Sequence, residues 1–550
     1  MLMLVVFLVR IPLNQDCWFE LTIIRTTRVN RIADHMSAVF VQLLGLFFGG
    51  EGQDLELGGL TVEFVDGASA TIFADVSFSI ADEAALHAMY GCKGSSGLKI
   101  CCCCTNVFNA NTPRRIVEAD RSGQSVYHHC TDPTKFKRIT PAVLDAIVRR
   151  LLRARPSELA DLETDLGWKL QPHGIMFHPT ARRRMCPSNK LCYDWAHIFM
   201  VNGLWNFVVC KVLLKFREHD IKPPVISTYV ESFSWPTGTH VTCHPRKVFS
   251  ADRIKNSLAA KTLKCTASEG LSLVPVLGQF CLNIRKTHPV QTVREHAHCC
   301  ELLCKVLGML MRSFRGLLDG ARLRDRIIEF ADRFIVLFGL AAATPKFHYM
   351  FHLLDYALIL NCLVHERKHK GIKRFANNMC NTSDCFDGSI LREVTYWHLA
   401  KLKDARMIQF SNAAMLDGGR CPSAKLHKQL TDMIGDFPKD AIFVARCARV
   451  NRYEKVSVSD IVQVGTSEPP VIGKVEYHIE VRAEGECHCI TILQEFAVES
   501  AHERCWKCRK LDSLTIVETH TIHCALIWGG NLDSVVTVLR PLHATASPDI

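Results

Sequence analysis

Apolar and polar positions alternate most clearly in two stretches. Residues 54–81 read as strands: Gly58-Gly59 and Asp66-Gly67 are turn signals, and LTVEFV from Leu60 alternates and is rich in β-branched side chains. A second run, ATIFADVSFSIA, leads to Asp82, where ADEAALHAMYG takes helical spacing. Thr140-Pro141 is an N-cap followed by proline at the first helical position, and Val143, Leu144, Ile147, Val148, Leu151 and Leu152 continue it as a stripe. Pro156-Ser157 ends that helix and caps the next. Leu191–Tyr193 is a short apolar strand before Asp194, and helical sequence follows from Ile198 to Phe216. After a stretch punctuated by Pro223, Pro224, Pro236 and Pro245, a long helical pattern spans roughly Val293–Leu340. Its Leu, Met and Phe residues read as core packing rather than as a cofactor site. From Ile442 the period changes to two, in VSVSDIVQVG, IGKVEYHIEV, CITILQEFAV, LTIVETHTIHCALIW and SVVTVLRPL. These runs predict a small all-β barrel or sandwich.

The resulting expectation is an α+β chain in five parts: an N-terminal segment (1–53), a strand-rich part with a cysteine cluster (54–135), a helical connection (136–190), a second part with a helical insertion and a final helix (191–440), and the β module (441–550). The apolar start MLMLVVFLVRIPL lacks the basic region and cleavage site of a signal peptide and reads as an element of the fold. The stretch nearest to a membrane span, Ala196–Leu214, is interrupted by Asn202, Asn206 and Lys211, so no membrane association is expected.

Composition narrows this picture only slightly. With 550 residues, 48% hydrophobic and 22% charged, the chain is expected to pack, not to remain disordered. A net charge of +11 is mild at this length and matters only where it is local, at Arg182–Arg184 and at Arg367–Arg374. The 26 cysteines include adjacent ones (Cys101–Cys104, Cys299–Cys300), which fits reduced thiols in a reducing compartment better than a disulfide framework.

The chemistry is concentrated in NCLVHERKHKGIKR, Asn361–Arg374, where Glu366 sits among cations on a predicted helix. A carboxylate among bases suits a metal ion held against a polyphosphate backbone. Two-metal phosphoryl transfer needs three or four carboxylates on one point, and Mg²⁺ prefers oxygen ligands. Asp82 at a strand end and Asp194 after another strand complete a candidate triad with Glu366, with Asp75 and Glu83 as competitors for the first position. His197 would stand behind Asp194, and Arg367, Lys368, Lys370, Lys373 and Arg374 would contact phosphates. The same cations also read as a solvated helix face.

Cys101 and Cys104 have the spacing of half a zinc site, with Cys130, His128 or His129 as candidates to complete it. The equal alternative is reduced core thiols. Cys487, Cys489, Cys505 and Cys508 could form a second site or lie on a β-hairpin. His365-Glu366-x-x-His369 is also a literal HExxH, with Glu393 as a third zinc ligand of a peptidase. The cations at Arg367, Lys368 and Lys370 would repel that zinc.

Three blocks resemble those of CACTA-type and Kyakuja-Dileera-Zisupton transposases. ADEAALHAMYGCKGSSGLKICCCC matches the first-aspartate block at Asp82, Ala84, Ala85, Gly91, Lys93, Gly94, Cys101 and Cys104. YDWAHIFMVNGLWN matches the second at Asp194, His197 and Gly203, with Trp195-Ala196 where Pro-Met is common. PKFHYMFHL followed by HERKHKGIKR matches the third. The resemblance spans roughly residues 55–375. It implies an RNase-H-like (DDE) core with a helical insertion, Mg²⁺ dependence, cutting and joining of DNA at transposon ends, a homo-oligomer, a nuclear location and no small-molecule substrate. The family's N-terminal DNA-binding region is short or missing here. A fragment, or a decayed copy that binds DNA or chromatin without cutting, is therefore the alternative expectation.

Overall fold

The computed structural model describes the chain except residues 1, 8–17, 50–53, 111–123, 239–244, 313–318, 356–361, 379–384, 404–412, 417–418, 436, 451–453, 468, 484–485, 503–504 and 543–550. It is a mixed α+β structure that divides into two compact units: Met1–Leu204 with Asp319–Lys401, and Trp205–Leu318 with Leu402–Ile550.

The first unit is built from short pieces. Leu2–Phe7 pairs antiparallel with Trp18–Ile24, and Leu60–Glu63 with Ser69–Ile72. A third pair carries the site. Strand β1 (Ser79–Ala81) lies parallel to β2 (Leu191–Tyr193), in the register Ser79↔Leu191, Ile80↔Cys192, Ala81↔Tyr193. Each strand runs straight into a helix, β1 into α1 (Glu83–Tyr90) and β2 into α2 (Trp195–Phe199). The reason is local: Asp82 and Asp194 are the N-caps, accepting from the amides of Ala85 at 2.7 Å and Ala196 at 2.8 Å. The predicted helix start at Thr140 forms as expected, with the Thr140 hydroxyl accepting from Val143 and with Leu144, Val148 and Leu151 buried. Val143 and Leu152, expected on the same stripe, are exposed.

The helix expected over Ile198–Phe216 is two helices, Trp195–Phe199 and Leu204–Glu218. The break falls where Asn202 takes φ 45°, and at Gly203 a Cβ would come within 2.4 Å of the Phe199 carbonyl carbon. Only glycine allows that approach. By length and composition Trp195–Glu218 could cross a membrane, but 67% of its apolar window is buried in the fold, as in a core helix. The stretch predicted over Val293–Leu340 is likewise two helices, Gln291–Arg312 and Gly320–Phe338. In the first unit Phe334 of the latter packs on Phe347 with ring centroids 4.4 Å apart, seating helix α3 (Pro345–Tyr349). Helix α4 (Leu363–Asn378) comes next, and its Ile372 packs with Ile23, Ile390 and Val394.

The second unit pairs a helical hairpin with the predicted β module. Helix Ala267–Thr287 opens on a capping box between Thr266 and Glu269, and its partner Gln291–Arg312 returns after three residues. The module's strands are β3 (Ile461–Val464), β4 (Val471–Ala483), β5 (Glu486–His502), β6 (Cys505–Glu518), β7 (Ile522–Ala525), β8 (Ile527–Gly530) and β9 (Val535–Leu539). They form one antiparallel sheet ordered β7-β3-β4-β5-β6-β9-β8, extended by Phe233–Ser234 beyond β8, with Ile442–Ala445 also on β4. β7 and β8 stand near opposite ends of that order, yet Leu526 alone joins them. A single residue spans only about 4 Å between neighbouring Cα atoms. The sheet must therefore curve enough to bring these two strands close. Ile461, Ile472, Phe496, Trp506, Cys508, Leu526 and Val538 pack as one core from strands across it.

Candidate functional site

The in-register parallel pairing of β1 and β2 brings two of the sequence-predicted carboxylates together. Asp82 follows Ala81, Asp194 follows Tyr193, and those two residues are strand partners. Both aspartates line one cleft of about 250 Å³ with Glu83, Tyr193, His197, Ile198 and Lys346, all within the first unit. Asp194 is buried, and Asp82 and Glu83 are half-buried. One oxygen of Asp194 serves as the cap, while the other receives a close contact from the His197 Nδ1, which places His197 where the sequence reading put it.

Lys346 is the cation of this cleft, and the sequence reading missed it as a site residue. Its Nζ donates to the carbonyls of His197 (2.7 Å), in helix α2, and of Val201 (3.2 Å) and Asn202 (3.1 Å), just beyond its C-terminal end. Burial pulls its pKa below the usual lysine value, while the nearby charges of Glu83, Asp194 and Asp82 work in the opposite direction. The available signal was the Pro-Lys-x-His segment itself, which in the sequence serves only to mark the approach to Glu366.

The third carboxylate, Glu366, lies on α4, but its side chain falls outside the described ones, as do those of His365, Arg367, Lys368, His369 and Lys370. The start of its helix is placed. Cys362, one residue before α4, is buried and hydrogen-bonds Asp194; burial first, then the charges of Asp194, Cys192 and Asp82, push its thiol well above the ordinary value. Glu366 is thus one helical turn beyond a residue that touches the cleft. Lys373 and Arg374 are exposed, whereas Glu393 points to solvent on the next helix.

The basic run Arg182–Arg184, where the sequence located charge, is largely consumed inside the fold. Arg184 is buried, pairs with Asp54, Glu56 and Asp75, and lies 4.8 Å over the Phe48 ring. Arg182 binds Asp145 at 2.7 Å.

A second constellation lies in the same unit. Cys101, Cys104, His348 and His352 are all buried and bring one ligand atom each within 4.8 Å of the others, a cluster that could hold a metal ion such as zinc. The His352 Nε2 is 3.2 Å from the Cys101 Sγ, 3.5 Å from the Cys104 Sγ and 3.0 Å from the His348 Nε2. The Cys103 amide donates to the Cys101 Sγ at 3.3 Å. Burial opposes ionisation of the Cys101 thiol, but hydrogen bonds from Cys103 and Cys104 and the neighbouring His352 and His348 hold it well below the ordinary value. The CxxC half of the expected site is therefore present, and its partners differ from those expected. Cys130 lies outside the cluster, its thiol turned to the Asp132 carbonyl at 3.7 Å. His128 bonds the Ala343 carbonyl, and His129 stacks on Tyr127.

In the β module Cys487 and Cys489 group with Glu480 rather than with Cys505 and Cys508. Trp506 and Cys508 are packed in the module's core, so CWKC is a strand. Comparison with known proteins finds no matching family model, curated protein or solved structure, and the chemistry of this chain rests on its own geometry.

Proposed function

We propose that the first unit is an RNase-H-like core of the DDE transposase kind, a Mg²⁺-dependent enzyme that cleaves and joins DNA strands. One observation carries this: Asp82 and Asp194 leave the same ends of two paired parallel strands and open into one cleft. The three-residue strands are too short to exist for their own stability, so the pairing is best understood as a device for setting two carboxylates side by side.

Asp82, Asp194 and Glu366 would hold the metal ions; carboxylate oxygens suit Mg²⁺. Metal held by these carboxylates would supply activation of water or a 3′-hydroxyl and charge stabilisation at the leaving oxygen. The residues of the chain do the remaining work. His197 fixes the rotamer of Asp194 through its Nδ1. Lys346 offsets the mutual repulsion of Asp82, Glu83 and Asp194 before any ion arrives. Lys373 and Arg374, exposed on α4, would meet the phosphates beside the cut, together with Arg367, Lys368 and Lys370 on the preceding turns. On this reading the partner is transposon-end DNA, the enzyme works as an oligomer, and its place is the nucleus.

The test is nicking of DNA carrying the element's ends. Wild type should nick with Mg²⁺ and not with Ca²⁺, and Asp82→Asn, Asp194→Asn and Glu366→Gln should each abolish it. Nicking that survives all three would remove the assignment. A second reading, DNA or chromatin binding without cleavage, is favoured by one detail: the oxygens of Asp194 are already engaged by the Ala196 amide and by His197. Retained DNA binding with no nicking in any divalent cation would select it.

A further inference from the structure

The ligand atoms of Cys101, Cys104, His348 and His352 all lie within 4.8 Å of one another, close enough to share one ion. Zinc–sulfur bonds of about 2.3 Å and zinc–nitrogen bonds of about 2.0–2.1 Å give tetrahedral edges of roughly 3.3–3.8 Å. The separations from the His352 Nε2, between 3.0 and 3.5 Å, are within a few tenths of an ångström of that. Two thiolates and two imidazoles select a soft or borderline ion, not Mg²⁺ or Ca²⁺.

The surroundings are those of a metal centre too. The His352 Nδ1 faces the Asp355 carboxylate at 2.9 Å and the Arg138 guanidinium, and its Nε2 faces the sulfurs. Arg138 closes on both Asp355 and the His352 ring. The Cys103 amide supports the Cys101 sulfur. His348 and His352, four apart on consecutive helical turns, share a face, as two ligands from one short segment must. All four residues are at most 4% exposed, so the ion would be closed off from substrate and would leave no open coordination position.

We infer that this cluster is a structural zinc site whose task is to close the first unit across its insertion. Cys104 and His352 are 248 residues apart, and the whole of Trp205–Leu318, part of the other unit, lies between the two stretches of chain that the cluster joins. The stretch it anchors carries Lys346, two residues before His348. It also carries Tyr349, whose hydroxyl donates to the Ile100 carbonyl at 3.0 Å and whose ring stacks at 4.7 Å on Tyr193, the residue before Asp194. The zinc would thus hold Lys346 and β2 in place without touching the cleft. This stands independently of the nuclease reading: a zinc count needs no DNA.

Metal analysis of the full chain, purified without added metal, should find one zinc that survives dialysis against EDTA at neutral pH. Replacing it with Co²⁺ should give the intense visible bands of a tetrahedral site with thiolate charge transfer. Cys104→Ser should lose the ion, whereas His352→Cys, which keeps four ligands, should retain it; this second variant separates loss of a ligand from loss of the fold. Cys487→Ser should leave the count unchanged, since Cys487 is exposed and its group with the half-buried Glu480 and Cys489 offers only three ligands, in the other unit. Hydrogen exchange at residues 99–105 and 345–354 should rise together by at least about tenfold when zinc is stripped with a mercurial and chelator. A chain that folds with no zinc, Cys104→Ser holding as much zinc as wild type, or exchange unaltered by stripping would each overturn the inference.

Discussion

The two units reach a folded state by different means. The second has a sheet with strands as long as seventeen residues in β5 and a helical hairpin opened by a capping box. Its backbone donors are satisfied by ladders, and its interior by Ile, Val, Phe and Trp. The first has strand pairs of two to seven residues and loops crowded with Cys, His and buried Arg. Paired strands this short do not stand alone in water. To an apolar core that includes Trp195, Phe199, Phe334 and Tyr349, the first unit adds contacts between residues far apart in sequence: Arg184 with three carboxylates, Arg138 with Asp355, and the Cys/His cluster. The lesson is that the unit with the candidate site adds polar contacts over long sequence separations to an apolar core.

That contrast breaks most easily at the cluster. Removing zinc should destabilise the first unit by on the order of 5 kcal/mol or more, because a structural zinc contributes folding free energy directly. The second unit should keep its exchange protection, most visibly in β4 and β5. Equal loss of protection in both would show that the units share one source of stability.

The cleft comes next. Asp194→Asn keeps an oxygen for the Ala196 amide but loses the charge that pairs with His197 and would bind metal. DNA nicking should be abolished, a fall of at least about 10²–10³-fold on the scale of one lost charge-stabilising group, with little change in melting temperature. A variant that loses stability as much as activity would make Asp194 a helix cap first and a ligand second.

Much of this was legible in the chain. Period-two alternation gave the strands of the module, and the short apolar run before Asp194 gave β2, whereas ATIFADVSFSIA, expected as one strand, is two, Ser69–Ile72 and Ser79–Ala81. Other features had no local signal. CWKC looks like a metal motif until its strand context places Trp506 and Cys508 in the module's core. Four consecutive cysteines carry the CxxC spacing by default, and the ligands that complete it lie beyond an insertion that no periodicity bridges. His348 and His352, an i, i+4 histidine pair, were the usable clue. The run Arg182–Arg184 read as a local excess of charge because one-dimensional charge cannot show that Asp54, Glu56 and Asp75 neutralise Arg184 from elsewhere.

A conventional core truncation tests the other half of the contrast. Ile492 is fully buried beside Leu430, Ile442, Ile479 and Val481. Ile492→Ala should cost the second unit about 2–4 kcal/mol through lost transfer energy and the cavity left behind. Its melting should fall while zinc content and nicking per folded molecule stay at wild-type values. A loss of zinc in this variant would contradict the separation.

The smallest effect sharpens the comparison, because it asks whether the second unit uses charge at all. Glu301, on helix Gln291–Arg312, is 4% exposed and receives Arg285 at 2.7 Å and Lys305 at 2.9 Å. Burial pushes its carboxyl up, but hydrogen bonds from His298 and Lys305 and the charges of Lys305 and Arg285 prevail and hold it at about 2. A carboxyl depressed in the folded state binds its proton more readily when unfolded. Its contribution is therefore complete above the unfolded value of roughly 4.3, and it is lost as pH falls from there through about 2. Glu301→Gln should cost about 1–3 kcal/mol at pH 7, because the partners are partly solvated and some of the interaction is screened. The gap between variant and wild type, read from urea midpoints, should narrow below about pH 4 and close near pH 2. A gap independent of pH would mean that Glu301 acts by shape, and that the second unit is held by packing alone.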